Sequence, residues 1–101
     1  MIVSSHWRGR RYAVLGLART GAATVRALVA GGAQVVAWDS DPARREGFEG
    51  VEIAELDDVD FAGIDALVVS PGVPLNTHPL AAKARAGGVP ITGDIELFAE
   101  A

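Results

Sequence analysis

The sequence has no cysteine and no long apolar run, and each absence excludes a class of protein. Without cysteine there is no disulfide, no thiolate metal site and no cysteine nucleophile, which fits a reducing compartment. No stretch approaches the roughly 20 apolar residues that a membrane span requires. His6, Trp7 and three nearby arginines would interrupt the apolar core of any signal peptide. We therefore expect a cytoplasmic protein that has no membrane partner.

The sequence also lacks an excess of positive charge. Its 101 residues carry a formal net charge of -4, which argues against non-specific binding to nucleic acid. Its one basic cluster, Arg8, Arg10 and Arg11, is interpreted as a solvated arm. The loop G-x-x-x-x-G-K-[ST] is absent, so ATP binding of that kind is not expected from this chain. Half of the residues are apolar, and the length fits a single domain over residues 1–101 with its own core.

Short apolar runs alternate with helix-like segments along the chain. We predict strands at residues 12–15, 34–38, 51–53, 65–69 and 89–92. We predict helices at residues 20–30, 42–46, 79–86 and 94–100, and an irregular acidic connection at residues 56–64. This alternation is typical of α/β proteins. It predicts a Rossmann-like, doubly wound, mainly parallel sheet of about five strands with helices on both faces.

The stretch YAVLGLARTG, residues 12–21, contains the most informative pattern. Gly16, Ala18 and Gly21 have the spacing of the G-x-G-x-x-G phosphate loop between a strand and a helix. In that motif the first position allows a tight turn, the middle one admits a phosphate, and the last permits close helix–strand packing. Arg19 and Thr20 add a positive charge and a hydroxyl. The loop predicts an anion site; the alternative is a tight connection that binds nothing.

Two further loops follow predicted strands. In a doubly wound sheet the ligand lies at the carboxyl ends of the strands, so these loops should share one crevice. Asp39 stands where an acidic residue commonly meets a ribose hydroxyl or a nucleobase N–H, but an aspartate there also caps its own turn. The sequence Ser70-Pro71-Gly72 would face the same crevice, or would form an ordinary turn.

No residue has the setting of a catalytic group or a metal ligand. The acidic residues between positions 57 and 65 fit no calcium loop and are interpreted as a solvated connection. His6 and His78 have no ligand-spaced partner, and Trp38 is interpreted as core or packing surface. We therefore predict no catalytic residue, no metal and no cofactor within this chain.

Four motifs resemble the N-terminal domain of the MurD type in the Mur ligase family. They are VLGLARTG at residues 14–21, VVAWDSD at 35–41, VVSPGVP at 68–74 and ITGDIELF at 91–98. The segment GDIELF is far more distinctive than the glycine loop. The resemblance covers residues 12–101.

The resemblance implies a cytoplasmic ligase of three domains that adds D-glutamate to UDP-N-acetylmuramoyl-L-alanine in peptidoglycan synthesis. The N-terminal domain binds the UDP part, the central one binds ATP with Mg, and the C-terminal one binds D-glutamate. The substrate carboxylate is activated as an acyl phosphate, which the amino acid attacks. The last two domains are absent from these 101 residues. We therefore expect no ligase activity from the chain alone, and we expect a monomer.

The resemblance also implies which residues contact the substrate. Backbone N–H groups near Arg19 and Thr20 should hold the diphosphate. Ala18 replaces a glycine of many relatives and slightly crowds the phosphate. Ser40 and Asp41 stand where some relatives carry Thr and Arg, so an arginine contact to the uracil is not carried over. The UDP site implied in this way consists of Gly16, Leu17, Ala18, Arg19, Thr20 and Gly21, of Asp39 and Ser40 beside the uracil, and of Ser70, Pro71 and Gly72.

Other interpretations remain open from the residues alone. An NAD(P)-binding domain of a dehydrogenase or regulatory protein would use the same loop, and Asp39 would favour NAD. Ala18 and the GDIELF segment argue against it. An interaction domain with a filled crevice would have the fold and no ligand. A sister Mur ligase would share the three-domain plan, but GDIELF points away from it.

Overall fold

The described part of the molecule is built on one parallel sheet. The computed structural model describes residues 7–69 and 79–93. Its strands are β1 (Arg11–Leu15), β2 (Gln34–Trp38), β3 (Val51–Ile53), β4 (Ala66–Val69) and β5 (Ile91–Gly93). They lie in the order β3-β2-β1-β4-β5, and every pairing is parallel. The strand order reverses between β1 and β4, as the predicted doubly wound sheet requires.

Two α-helices, α1 (Arg19–Ala30) and α2 (Pro79–Ala86), cover opposite faces of this sheet. Successive side chains of a strand point to opposite faces, so each central strand contributes side chains to a core on each face of the sheet. On one face Val25 and Leu28 of α1 join the cluster that contains Val14. On the other face Leu80 of α2 joins the cluster that contains Leu67. The predicted α/β fold, with helices on both faces, is confirmed.

Some element boundaries differ from the predicted ones. Helix α1 begins one residue early, at Arg19, and the predicted helix at 42–46 is a 3-10 turn, Pro42–Arg45. Strand β5 starts at Ile91, two residues later than predicted. The cause is that the N–H of Val89 donates to the carbonyl of Ala84 at 2.8 Å and so closes α2. The helix predicted at 94–100 lies outside the described residues.

The acidic connection at residues 56–64 is more ordered than its composition predicts. It contains a 3-10 turn, Leu56–Asp58. The ammonium group of Lys83 on α2 donates to the carbonyls of Leu56 at 2.8 Å, of Asp57 at 2.9 Å and of Val59. The same ammonium lies 4.7 Å from the ring centre of Phe61. Because carbonyls at the end of a helical turn carry partial negative charge, this lysine ties the connection to α2.

The amino end of β1 is closed by a reciprocal pair of hydrogen bonds. The N–H of Arg11 donates to Oδ2 of Asp65 at 2.7 Å. The N–H of Asp65 donates in turn to the carbonyl of Arg11, also at 2.7 Å. The Asp65 side chain is exposed, and β4 begins just after it.

Candidate nucleotide site at the carboxyl edge of the sheet

The loop after β1 turns sharply at Gly16. This residue has φ +95, a backbone conformation that residues other than glycine adopt only with strain. Its N–H donates to the carbonyl of Trp38 at 2.8 Å, which continues the β1–β2 pairing by one bond. The next side chain, that of Leu17, is buried in the core cluster on the face of the sheet that α1 covers, here called the α1-face core; the cluster on the other face is the α2-face core. The first turn of the loop is therefore fixed by the sheet on one side and by the core on the other.

The amino end of α1 is left without a side-chain cap. Ala18 is the N-cap residue, and it has no polar group to offer. The first turn of the helix contains no acidic residue. The first N–H groups of an α-helix have no acceptor within the helix, so those of residues 19–21 remain for an external one. Ala18, Arg19 and Thr20 are exposed, whereas Gly21 is buried. This end of α1 can hold an anion through its N–H groups and its dipole.

Asp39 follows β2 directly, and its carboxylate is bonded to the backbone of two loops. Oδ2 accepts the N–H of Leu17 at 2.7 Å, and Oδ1 accepts the N–H of Asp41 at 2.8 Å. The residue is 6% exposed. Asp39 therefore caps its own turn and also holds the glycine loop. The turn cap that the sequence allowed is present in the structure. The ligand contact that it also allowed stays a prediction.

Arg44 is a neighbour of this carboxylate that the sequence did not reveal. One guanidinium nitrogen lies 3.9 Å from Oδ2 of Asp39, and Nε lies 3.8 Å from Oδ2 of Asp41. Asp41 begins the 3-10 turn, and its side chain accepts the N–H of Ala43 at 3.0 Å. The signal was the three-residue spacing from Asp41 to Arg44, which one helical turn brings together.

A second arginine of the same turn covers Trp38. The guanidinium carbon of Arg45 lies 4.0 Å from the centre of the Trp38 ring, within the range of a cation–π contact. The ring is half-buried and packs against the α2-face core. In the described residues the Nε atom of Arg45 is buried and has no hydrogen-bond partner. Trp38 is therefore packing surface, as its position in β2 predicted.

The structure brings part of the predicted site together. Residues 16–21 and the pair Asp39 and Ser40 lie at the carboxyl edge of the sheet, joined by the Leu17–Asp39 bond. Ser40 is exposed there. Ser70, Pro71 and Gly72 lie outside the described residues. The strand before them, β4, ends in register with β1 at the same edge.

Other features of the described residues lie elsewhere. A groove of about 350 Å³ lies between α1 and the segment before β3, and its lining includes no residue of the glycine loop. In residues 7–69 and 79–93 no group of three or more His, Cys, Asp or Glu side chains is arranged to hold a metal ion. No helix in those two ranges has both the length and the apolar character needed to cross a bilayer.

A parallel sheet of this strand order, with a glycine loop between its central strand and a helix, defines the class of Rossmann-like α/β domains. Within that class, the family model for the Mur ligase MurD-like N-terminal domain matches residues 10–93. The chain belongs to this family.

Curated relatives agree with this membership. A protein of Novosphingobium aromaticivorans is 58% identical over 102 residues, which cover 100% of this chain and 23% of that protein. One of Sphingopyxis alaskensis is 58% identical over 103 residues, covering 100% of this chain and 24% of that protein. One of Zymomonas mobilis is 49% identical over 111 residues, covering 100% and 25%. Each is named UDP-N-acetylmuramoylalanine–D-glutamate ligase. The chain thus spans about a quarter of the length of these relatives.

Proposed function

We propose that this chain binds the UDP part of UDP-N-acetylmuramoyl-L-alanine. It would do so as the N-terminal domain of the ATP-dependent ligase that adds D-glutamate in peptidoglycan synthesis. The observation that carries the proposal is the uncapped amino end of α1, which lies where the strand order of the sheet reverses. The ligase name shared by the relatives supports the choice of substrate.

The proposed contacts follow from the chemistry of the crevice. The N–H groups of Arg19 and Thr20 hold the diphosphate, because they have no acceptor within the helix and lie at its positive end. Gly16 and Gly21 supply the turn and the close packing that present those groups. Leu17 anchors the loop through its buried side chain, and Ala18, whose side chain is small, crowds the phosphate only slightly. The nucleoside end lies beside Asp39 and Ser40, and Ser70, Pro71 and Gly72 complete the same pocket.

The chemistry of the whole protein belongs to other domains in this proposal. ATP and Mg bind in the central domain, and D-glutamate binds in the C-terminal domain. The substrate carboxylate takes the γ-phosphoryl group of ATP and ADP leaves. The amine of D-glutamate then displaces phosphate and forms the amide. This chain holds the UDP end of the substrate, without catalysing a step itself, in a monomeric cytoplasmic protein.

Titration of the ¹⁵N-labelled chain by NMR tests the proposal. UDP-N-acetylmuramoyl-L-alanine should shift the amide signals of residues 16–21, 39–40 and 70–72, while NAD leaves them nearly unchanged. Larger shifts with NAD at the same loops would overturn the choice of ligand and favour a dinucleotide site. No shift with either compound would mean that these 101 residues do not form a complete site.

The substitution Thr20→Glu sharpens this test. A carboxylate in the first turn of α1 stabilises the helix through its dipole, but it repels a diphosphate. We expect about a tenfold loss of affinity for UDP, equivalent to about 1.4 kcal/mol, with no loss of thermal stability. Ala30→Glu adds the same charge at the other end of α1, about 15 Å away, and should leave the affinity unchanged. Equal losses in the two variants would mean that only net charge matters.

A further inference from the structure

We infer that Asp39 supports diphosphate binding as a positioning residue, because its carboxylate holds the glycine loop in its anion-binding conformation without touching the phosphates. The inference rests on the proposed function, because it concerns how that same site is built. Its physical content is that one buried carboxylate joins the end of β2 to the loop after β1.

The first argument is the occupancy of the carboxylate. Each oxygen of Asp39 accepts a backbone N–H, from Leu17 at 2.7 Å and from Asp41 at 2.8 Å. These are charge-assisted hydrogen bonds, and the shorter one is buried. Both oxygens of this side chain, which is 6% exposed, are thus bonded to the backbone of the two loops.

The second argument concerns which N–H groups of the loop remain for an anion. The N–H of Gly16 donates to the carbonyl of Trp38, and that of Leu17 donates to Asp39. Both are thus bound to the end of β2. The donors left for a diphosphate begin at Ala18, so the tether turns the two preceding amides towards β2 and the amino end of α1 towards the ligand.

The third argument is electrostatic. A diphosphate that touched Asp39 would meet a carboxylate, and two like charges in contact repel. The carboxylate instead accepts the N–H groups of Leu17 and Asp41, and one guanidinium nitrogen of Arg44 lies 3.9 Å from its Oδ2. The carboxylate is thus compensated by groups of the protein, and the N–H groups at the amino end of α1 remain the partners of the diphosphate.

The test compares two ligands on one variant. Asp39→Asn keeps the shape of the side chain but can accept only one of the two N–H groups through its oxygen. UDP and uridine are titrated separately into the ¹⁵N-labelled chain. We expect about a tenfold loss of affinity for UDP, the order of one charge-assisted hydrogen bond. Uridine affinity should change less than about twofold, because the nucleoside lacks the phosphates that the loop serves. Equal losses for the two ligands would mean that Asp39 has no specific effect on phosphate binding and would overturn the inference.

The matched control is Asp65→Asn at the opposite end of β1. Asp65 also accepts a backbone N–H, that of Arg11, but far from the loop. This variant should leave both affinities unchanged. A UDP loss in Asp65→Asn equal to that in Asp39→Asn would overturn the inference in favour of a general loss of stability.

Amide hydrogen exchange tests the hydrogen bond between Leu17 and Asp39 without any ligand. In the free chain, Asp39→Asn should speed exchange at Leu17 and Asp41, whereas Asp65→Asn should not. Unchanged exchange at Leu17 in Asp39→Asn would overturn the inference by itself. A wild-type chain that binds no UDP would mean that these 101 residues do not form a complete site, and the exchange result would still decide the role of Asp39.

Discussion

The two ends of β1 are closed by the same chemistry and differ in what they leave available. At the amino end, the Asp65 carboxylate accepts the N–H of Arg11, and the backbone of Asp65 returns a bond to the carbonyl of the same residue. At the carboxyl end, the Asp39 carboxylate accepts the N–H of Leu17 and also that of Asp41. The first arrangement is exposed and joins two neighbouring strands. The second is buried and shapes a loop.

The difference lies in what the loop presents after the bonds are made. Beyond Asp65 the chain enters β4, and its backbone groups go into the sheet. Beyond Leu17 it enters α1, whose first N–H groups have no acceptor within the helix and no side-chain cap. An end of a sheet becomes a binding edge when its loop is held rigidly while some of its donors stay unused. Only the carboxyl end meets this condition in the described residues.

Removing the carboxylate at each end of β1 should give the largest difference in unfolding free energy between the two ends. In Asp39→Ala the N–H groups of Leu17 and Asp41 lose their acceptor, one of them in a buried setting, at a cost of about 2–3 kcal/mol of unfolding free energy. In Asp65→Ala water can replace the exposed carboxylate, and the cost should stay below about 1 kcal/mol. Urea unfolding followed by circular dichroism measures both values. Similar losses would contradict the distinction between the two ends.

Two glycines with positive φ, one near each end of β1, allow a second comparison with smaller expected effects. Gly16 is the first residue of the glycine loop and has φ +95, and Gly9 lies near the amino end of β1 with φ +76. Alanine at either position should cost about 1–2 kcal/mol of unfolding free energy, because a Cβ disfavours this backbone region. A Cβ at Gly9 would meet no atom within 4 Å, so the cost there is conformational alone. Gly16→Ala alone should also weaken UDP binding, and a matching loss in Gly9→Ala would contradict the site.

The smallest effects should come from the two cation–π pairs. Arg45 lies over Trp38 at the carboxyl end of β2, and Arg26 lies 5.3 Å from the ring centre of Phe48 near the amino end of β3. Replacing either arginine by alanine should cost about 0.5 kcal/mol or less. Arg45→Ala exposes the indole, so tryptophan emission should move to longer wavelength, whereas Arg26→Ala should leave it unchanged. Identical spectra in both variants would place the Trp38 ring away from Arg45.

Much of the fold could be predicted because its signals are local. The apolar runs, the pair Gly31 and Gly32 at the end of α1, and Pro79 at the start of α2 each act within one or two turns of chain. The glycine loop was predictable for the same reason, since its motif consists of three small residues at fixed spacing.

The rest depended on contacts between distant or flexible groups. The bond from Lys83 to the carbonyl of Leu56 joins residues 27 apart in the chain, so no local pattern reports it. Arg44 and Arg45 have long side chains, whose direction is decided by the 3-10 turn below them. Asp39 posed a different problem. A turn cap and a ligand contact use the same residue type at the same position, and the bonds to Leu17 and Asp41, which show the cap, appear only in the folded chain.

Lys83 has a practical consequence beyond the packing of α2. It is the one lysine in the chain, and its ammonium group is held by three carbonyls while a ring lies beside it. An ammonium group has three N–H donors, and in the folded chain the three carbonyls surround this nitrogen and shield it from an acylating reagent. Side-chain acylation at a single site would therefore be slow in the native chain and fast once α2 detaches. The rate of labelling would count the molecules in which this helix has come away from the sheet.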